Sequence, residues 1–269
     1  MDALISLLRS TIAGEQARQL ALLLLFLPLF FFSYWAIKRG AHISLRAIPA
    51  YDALKRLLAH AAEAGQPMHL ALGTGGIGDQ STADTMAGLT VLEYLAERAA
   101  ISATPPIVTM ANPTALPVAQ DFLRRAYSRQ GYPEEYDPAR ARFIAPNPAL
   151  TSGGEAIAYG AGAMRLLARH GLIANVMIGR FGDEFLLLSE TGAQRGITQI
   201  GGTSSERVLP FVRATVDYPL IGEEIYAGGA YLSNKPGHIS SLLAQDLMRG
   251  LLVAGLILAV VLKTLGVIQ

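Results

Sequence analysis

An uncharged apolar run near the start of the chain limits most strongly what the chain can fold into. Leu20 to Ile37 reads LALLLLFLPLFFFSYWAI. As a helix rising about 1.5 Å per residue, this run crosses most of a hydrocarbon core about 30 Å thick. A cleaved signal peptide is the alternative, but its apolar region is usually about 7–15 residues long and ends in small residues. This run instead ends in Trp35-Ala-Ile-Lys-Arg39, so we predict a retained transmembrane helix over residues 19–38.

A second apolar segment lies near the other end of the sequence. Leu251 to Leu262 reads LLVAGLILAVVL, and Lys263 follows it. A lysine at the end of a span can extend its ammonium group to the interface. The segment has no polar face, which disfavours a helix lying on the membrane surface; a buried C-terminal helix remains the alternative. We predict one long helix over residues 241–269 that ends in a second span.

The positions of Lys and Arg predict the orientation of the spans, because basic residues favour the cytoplasmic side. Arg9 and Arg18 precede the first span. The larger group follows it: Lys38, Arg39, Arg46, Lys55 and Arg56. We therefore expect an inner-membrane protein with both termini outside and a cytoplasmic domain over residues 39–240. Residues 1–18 are predicted to form a short amphipathic helix on the outer surface.

Composition narrows the remaining classes of protein. Hydrophobic residues make up 51% of the chain and charged residues 16%, against about 25% charged in soluble domains, which excludes disorder. The absence of cysteine excludes disulfides and thiolate chemistry. A net charge of +1 gives no overall field that would attract nucleic acid. We expect the lipid bilayer to be a partner and nucleic acid not to be one.

Between the apolar ends, short strand-like runs alternate with segments of helical periodicity. Alternation of this kind is typical of a mainly parallel sheet covered on both faces. The sequence predicts helices over 48–64, 81–99, 115–129 and 154–170 and strands over 69–72, 106–110, 142–145, 173–178 and 197–200. Met86 is placed on the inner face of the second of these helices. The fold class predicted is α/β, a three-layer Rossmann-like domain flanked by an N-terminal and a C-terminal transmembrane helix.

Two further local predictions concern turns. Gly182-Asp183 suits a tight hairpin turn, so Phe185 to Leu188 is predicted to return as an antiparallel strand. Thr203 with Glu206 three residues later matches a capping box, which predicts a helix from there through Arg213.

A glycine-rich turn provides the principal candidate ligand site. Gly73-x-Gly75-x-x-Gly78 follows a predicted strand and precedes a predicted helix, the setting in which such glycines bind a pyrophosphate at a helix N-terminus. The acidic residue that would hold a ribose is missing, since Asn112 occupies its expected place. A tight turn that needs glycine for backbone reasons explains the same pattern. The residues predicted to converge at the carboxyl ends of the strands are Gly73, Gly75, Gly76, Gly78, Asn112, Asn147, Gly202, Thr203 and Ser204.

No pattern in the sequence predicts catalysis or metal binding. The chain lacks a GxSxG nucleophile elbow and a GxxxxGK[ST] phosphate loop. Its five histidines have no HxxxH or HExxH spacing. We predict no catalytic residue, no metal ligand and no bound cofactor, with a nucleotide as the ligand that the glycine-rich turn allows.

Small residues are concentrated in two places, at 156–163 and in Ala227-Gly-Gly-Ala230. Glycine costs about 1 kcal/mol relative to alanine inside a helix, so these residues indicate close approach of another backbone. That backbone belongs either to the same domain or to another copy of the chain, and the sequence leaves both open.

Two further stretches carry a resemblance. Ile221-Gly-Glu-Glu-Ile-Tyr-Ala-Gly-Gly-Ala-Tyr-Leu232 and Ser241-Leu-Leu-Ala-Gln-Asp246 resemble a family of uncharacterised prokaryotic membrane proteins defined by a domain of unknown function. The likeness covers most of Ala47 to Gly250 and implies a membrane-anchored domain without indicating an activity.

Two functions are compatible with these observations. The first is a membrane-anchored, homo-oligomeric structural or scaffolding protein with a cytoplasmic Rossmann-like domain. The alternative is a sensor or enzyme that binds a nucleotide or phosphate ligand through the Gly73–Gly78 loop.

Overall fold

The computed structural model of the chain describes residues 14–41, 45–102, 104–144, 154–169 and 171–264. The chain divides into two compact units. One is the continuous segment Arg46–Ser233, and the other combines Met1–Leu45 with Asn234–Gln269. An amphipathic segment was predicted for residues 1–18, and its first 13 residues lie outside the described part of the chain.

The unit Arg46–Ser233 is built on a six-stranded sheet in which every paired strand is parallel to its neighbour. The strands are β1 His69–Gly73, β2 Ile107–Met110, β3 Ala141–Phe143, β4 Ala174–Arg180, β5 Thr198–Thr203 and β6 Tyr218–Ile221. Their order is β3-β2-β1-β4-β5-β6, the order of doubly wound dinucleotide-binding folds. The Rossmann-like fold class is therefore confirmed.

Helices cover both faces of this sheet. They are α2 Pro49–Ala64, α3 Thr82–Ser102, α4 Leu116–Gln130, α5 Gly154–Arg169, α6 Glu184–Gln194, α7 Leu209–Thr215 and α8 Gly228–Ser233. Buried side chains from α5, α6 and α7 form one core cluster against the sheet. On the other side α3 packs against α2, α4 and α8. The helices predicted at 48–64, 115–129 and 154–170 are confirmed to within a residue.

The predicted hairpin after Gly182 is wrong. The strand β4 is followed directly by the helix α6, which turns the fully buried Phe185 and Leu188 into the core. A short apolar run such as Phe185 to Leu188 fits a strand or a buried helix equally well. Phe185 and Leu188 are three residues apart, a spacing that places both side chains on one face of a helix.

Two smaller predictions also fail, and one strand was missed. Thr203 is the last residue of β5 and does not cap α7, whose N-cap is Val208; the carbonyl of Ser205 instead accepts the amides of Val208 and Leu209. Met86 is 42% exposed and not on the inner face of α3. The edge strand β6 was not predicted, because it is only four residues long and contains Pro219, a residue usually restricted to edges.

A row of buried polar side chains crosses the middle of the sheet. The His69 ring bonds to Asn175 Oδ1 at 2.7 Å and to Thr109 Oγ1 at 2.9 Å. Thr109 continues to the Tyr159 hydroxyl at 3.0 Å, and Asn175 donates to Gln199 at 3.2 Å. Because Asn175 Oδ1 can only accept, Nδ1 of His69 donates to it. Partners of this kind make the burial of these polar groups tolerable.

The second unit contains α1 Gly14–Lys38 and the 29-residue α9 Pro236–Thr264, which pack against each other. Both are long and apolar enough to cross a membrane, with mean hydropathy 2.3 over Gln19–Lys38 and 2.0 over Pro236–Thr264. The side chains buried on them are small: Ser33, Ser240 and Ala244. Small residues of this kind let two helices approach closely.

Candidate ligand-binding site

The glycine-rich turn after β1 is shaped by its neighbours within the domain. Gly73 has φ +74°, and a Cβ there would lie 2.0 Å from the carbonyl oxygen of Arg180. A Cβ on Gly76 would lie 2.2 Å from Nδ2 of Asn112. Gly78 has φ +102°, a conformation that L-residues rarely adopt. Gly73 and Gly78 therefore favour glycine for backbone reasons whether or not a ligand binds, and Gly76 leaves room for the Asn112 side chain.

The backbone donors of the same turn are engaged by side chains. The amide of Gly76 donates to Ser81 Oγ at 2.9 Å, and that of Gly78 donates to Thr82 Oγ1 at 2.9 Å. The amide of Ile77 donates to Thr114 Oγ1 at 2.8 Å. A phosphate cradle needs such amides directed at the ligand. In this conformation the turn is closed on itself, and ligand binding through its glycines stays a prediction.

The other predicted site residues divide between several roles. Asn112 accepts the amide of Thr114 at 3.0 Å and caps the short helical turn after β2. Gly202 and Thr203 belong to β5, and a Cβ on Gly202 would lie 2.7 Å from Leu220. Asn147 lies outside the described residues. The structure thus gives Asn112 and Gly202 structural roles at this edge of the sheet.

Ser204 belongs to a hydrogen-bonded cluster centred on the buried Asp84. Asp84 is 3% exposed and accepts the hydroxyls of Tyr226 at 2.5 Å and Ser204 at 2.8 Å. Its carboxylate also lies 3.5 Å from the guanidinium of Arg180. Burial, and then the hydrogen bond to Asp84, raise the pKa of Tyr226. The cluster joins α3, β4 and the segments after β5 and β6.

A cavity of about 310 Å³ opens beside this cluster. It lies where β1 and β4 are neighbours in the sheet, at their carboxyl ends, the place where the order of strands reverses. In open α/β sheets ligands bind in the crevice at that point. Its lining comes from the segments after β1, β4 and β5 and from the first turn of α5: Thr74, Ala156, Ile157, Arg180, Phe181, Gly182, Asp183, Glu184, Ser205, Arg207 and Val208.

Glu184 is the unusual residue of this cavity. Its side chain is fully buried, and Oε1 accepts the amide of Gly182 at 2.8 Å. Oε2 has no hydrogen-bond partner among the described residues. Burial raises the pKa of this carboxyl above its ordinary value of 4.5. A buried carboxyl with one unpaired oxygen is costly for a fold to keep, which marks it as a candidate functional group.

Charged side chains surround the cavity mouth. Arg180 is half exposed and already paired with Asp84. Arg207 is exposed and has no carboxylate within ion-pair distance among the described residues. Asp183 is exposed and also contributes to the raised pKa of Glu184. With Glu184 protonated, the lining carries two positive charges and one negative charge.

Comparison with known proteins gives one match. The model of a family described as a domain of unknown function, DUF6754, matches residues 9–269. The chain belongs to the DUF6754 family. The resemblance to a family defined by a domain of unknown function is thereby confirmed. No curated protein and no solved structure is detectably similar to this DUF6754 protein.

Most of the cavity lining was missed by reasoning from the sequence of this DUF6754 protein. Arg180, Asp183 and Glu184 were hidden by the incorrect hairpin, which turned the loop after β4 into a simple turn. A helix in place of that hairpin would have set Glu184 at a helix N-terminus beside the glycine-rich turn. The alternation of strands and helices along the chain therefore favoured a helix after β4, but the Gly182-Asp183 pair led to the prediction of a hairpin.

The small residues of this DUF6754 protein are buried or half-buried in the domain, except for Ala161, which is exposed. A Cβ on Gly160 would lie 3.0 Å from Leu187 and 3.1 Å from Glu184 Cβ, so α6 lies against this face of α5. A Cβ on Gly162 would lie 2.5 Å from Ile144. Residues 227–230 are buried as well. Packing within the domain therefore accounts for these glycines, and contact between copies stays a prediction.

Proposed function

We propose that this DUF6754 protein is a membrane-anchored ligand-binding protein. Two helices would hold it in the bilayer, and the Rossmann-like domain would bind a small ligand in the cavity at the carboxyl edge of its sheet. This proposal is a form of the second function predicted from the sequence, the ligand-binding one. The ligand site is now assigned to the loop after β4 and no longer to the glycine-rich turn.

The observation that carries the ligand-binding part is Glu184. Its buried and unpaired Oε2 belongs to a residue that lines a cavity at the point where the strand order reverses. The cavity volume of about 310 Å³ lies at the lower end of the range of about 300–1,000 Å³ typical of small-molecule sites. A ligand group that pairs with Oε2 would remove the cost of leaving it unpaired.

A cavity-filling variant tests this part. Ala156→Leu would place a larger side chain in the cavity, whereas Ala161→Leu alters an exposed position of the same helix. The full chain in detergent is screened by thermal unfolding against nucleotides, sugar phosphates, carboxylic acids, amino acids and polyamines. We expect at least one compound to raise the Tm of the wild type and of Ala161→Leu but not of Ala156→Leu. If the compounds raise the Tm of all three proteins equally, or of none, the result would contradict ligand binding in this cavity.

The membrane part is supported by the surface of the two long helices. From Leu251 to Val261 the side chains of α9 are exposed and apolar, which is unfavourable in water and favourable in lipid. At the end of α1 the Arg39 guanidinium lies 3.5 Å from the centre of the Trp35 ring, a pairing suited to the interface. The distribution of basic residues places the domain in the cytoplasm in this proposal.

The absence of cysteine makes the orientation easy to test. Glu63→Cys introduces one thiol at an exposed site of the domain, and Gln269→Cys introduces one at the C-terminus. In intact bacterial cells an impermeant maleimide should label Gln269→Cys and spare Glu63→Cys. Both should react after permeabilisation. The opposite pattern in intact cells would invert the proposed orientation, and recovery of the protein in the soluble fraction would contradict the anchor.

Self-association into a scaffold stays a prediction. The glycine and alanine patches that motivated it pack within the domain, so its remaining support is the low charge of the chain, 16%. The mass of the protein in detergent tests it directly.

A further inference from the structure

We propose that the cavity ligand carries an oxyanion, bound between the buried carboxyl of Glu184 acting as a neutral hydrogen-bond donor and the guanidinium of Arg207. This inference deepens the proposed function and rests on it. It assigns the chemical class of the ligand, a carboxylate or a phosphate ester with a small apolar body.

The argument begins with the unpaired oxygen. Glu184 Oε1 already accepts the Gly182 amide, and Oε2 is the oxygen without a partner. Because Oε2 is closed off from solvent, a ligand in the cavity pairs with it after a small shift of the adjoining lining. A protonated carboxyl bears its hydrogen on one oxygen and can donate it. The Gly182 contact favours acceptance at Oε1, which leaves Oε2 as the donor. A donor shielded from water is complementary to an acceptor, and an anionic oxygen is the strongest acceptor a small ligand offers.

Burial shifts Glu184 toward the protonated form that this role needs. Burial is the largest cause of the raised pKa of Glu184, and the neighbouring Asp183 adds to it. The charged and titratable groups near Glu184 are Asp183 on its own element, Arg180 at the end of β4, Arg207 before α7 and Tyr159 on α5. In the described part of the chain, neither Arg180 nor Arg207 is close enough to Glu184 to form an ion pair with it.

The second part of the site is the charge at its mouth. Arg207 lines the cavity, is exposed, and lacks a carboxylate partner among the described residues. Arg180 lines the same cavity but is committed to the buried Asp84. A guanidinium is well suited to carboxylate and phosphate because its donors form a planar fork. Arg207 is therefore the cation available to a ligand.

The rest of the lining describes the body of the ligand. Ile157, Phe181 and Val208 give the cavity an apolar side. A bare inorganic ion would leave that side wet, so a ligand with a short hydrocarbon portion fits better.

A cation ligand is the competing chemistry, because Asp183 and Glu184 are adjacent carboxyls. Two observations oppose it. The two arginines in the lining would repel a cation. Among the residues that the structure describes, no group of three or more His, Asp or Glu side chains is placed to hold a metal ion.

The test uses the full chain in detergent and isothermal titration with three probes: sulfate, inorganic phosphate and butyrate. Sulfate keeps its charge between pH 5 and pH 8, so any change in its affinity reports the protein. We expect sulfate affinity to fall with increasing pH, by about tenfold per pH unit above the Glu184 pKa, because one proton is bound with the anion. Glu184→Gln, which keeps a donor but cannot ionise, should bind sulfate without this pH dependence.

The role of Arg207 is tested with a matched variant. Arg207→Gln should weaken the binding of the probes by about tenfold or more. Arg213→Gln removes an exposed arginine from α7 outside the cavity lining and should leave binding unchanged. A preference for butyrate over phosphate would identify a carboxylate ligand, and the reverse preference a phosphate ester; either supports the proposal.

Three results would overturn the proposal: no binding of any probe by the wild type, equal binding by Arg207→Gln, or sulfate binding that is independent of pH in the wild type. These results are distinct from failure of the proposed function. If an uncharged or cationic compound from the screen stabilises the wild type but not Ala156→Leu, the cavity binds a ligand and only the oxyanion assignment is wrong.

Discussion

At the scale of the residue, Glu184 links the stability of the domain to pH. Its pKa is raised in the folded protein by burial, so between the ordinary value of 4.5 and the raised value the folded state binds more protons than the unfolded state. The free energy of unfolding therefore decreases as pH rises through that window, and it levels off above the raised pKa. The cost of keeping the carboxyl buried therefore grows as pH rises through that window.

We predict that Glu184→Gln removes this dependence. The amide keeps the shape of the side chain and cannot ionise, so the variant should be as stable as the wild type at low pH and more stable at neutral pH. Urea unfolding followed by circular dichroism from pH 4 to pH 8 measures the difference. A wild-type curve parallel to that of the variant over the whole range would contradict the cause assigned to the shift.

The buried row through His69 gives a second prediction. His69→Leu leaves Asn175 Oδ1 unpaired and removes one hydrogen bond of the Thr109 hydroxyl, which keeps Tyr159 as a partner. An unpaired buried group costs about 1–3 kcal/mol, and a lost hydrogen bond about 1 kcal/mol. We expect a loss of about 2–4 kcal/mol in the free energy of unfolding, measured by urea titration.

His60→Leu is the matched control, because His60 is exposed on α2. It should change stability by no more than about 0.5 kcal/mol. Equal effects of the two variants would mean that the row adds nothing beyond filling space.

At the scale of the element, the distance between α3 and the sheet depends on Gly88. A Cβ there would lie 2.3 Å from the carbonyl oxygen of Ile178 and 2.6 Å from a methyl carbon of Leu72. Gly88→Ala gains about 1 kcal/mol in helix propensity, but overpacking costs about 1–3 kcal/mol. We predict net destabilisation, measured by thermal unfolding.

Gly250→Ala separates the two contributions. Gly250 lies in a helix with nothing within 4 Å of a Cβ, so only the propensity term applies and the variant should be equal to or more stable than the wild type. A stabilising Gly88→Ala would show that α3 moves away from the sheet at little cost.

The sequence predicted helices correctly where the spacing of apolar residues kept a helical period over several turns. The helices α2, α4 and α5 were predicted because apolar spacing and glycine or proline boundaries agreed. The loop after β4 was not, since Gly182-Asp183 satisfies hairpin chemistry and the apolar run after it has no unique period. The site followed the same division: the predicted edge of the sheet was correct, but its cavity lies at the loop that was misread.

At the scale of the whole molecule, the apolar excess has two sources. The exposed apolar surface of α1 and α9 supplies one part. The other is a sheet covered on both faces, in which all five residues of β1 are buried. Each unit thus has its own reason for low charge, and the domain should not depend on the helices α1 and α9 for its core.

We predict that the excised unit Arg46–Ser233 folds, stays in solution and unfolds in one cooperative transition, because the core cluster lies wholly within it. Urea unfolding followed by fluorescence and circular dichroism should give coincident curves. The mass of this unit in solution is then compared with that of the full chain in detergent. The comparison shows whether any self-association comes from the domain or from the helices α1 and α9. Aggregation of the excised unit would contradict an independent core.

The pairing of β1 with β4 has a consequence for biosynthesis. His69 and Asn175 are in contact although they lie 106 positions apart, so β1 is made long before its central neighbour exists. At about 5–20 residues per second the ribosome needs roughly 5–20 s to deliver that partner. During this interval one edge of β1 can pair with β2 while the other stays open to foreign strands. Nascent chains stalled before β4 should therefore engage chaperones more strongly than chains stalled after it.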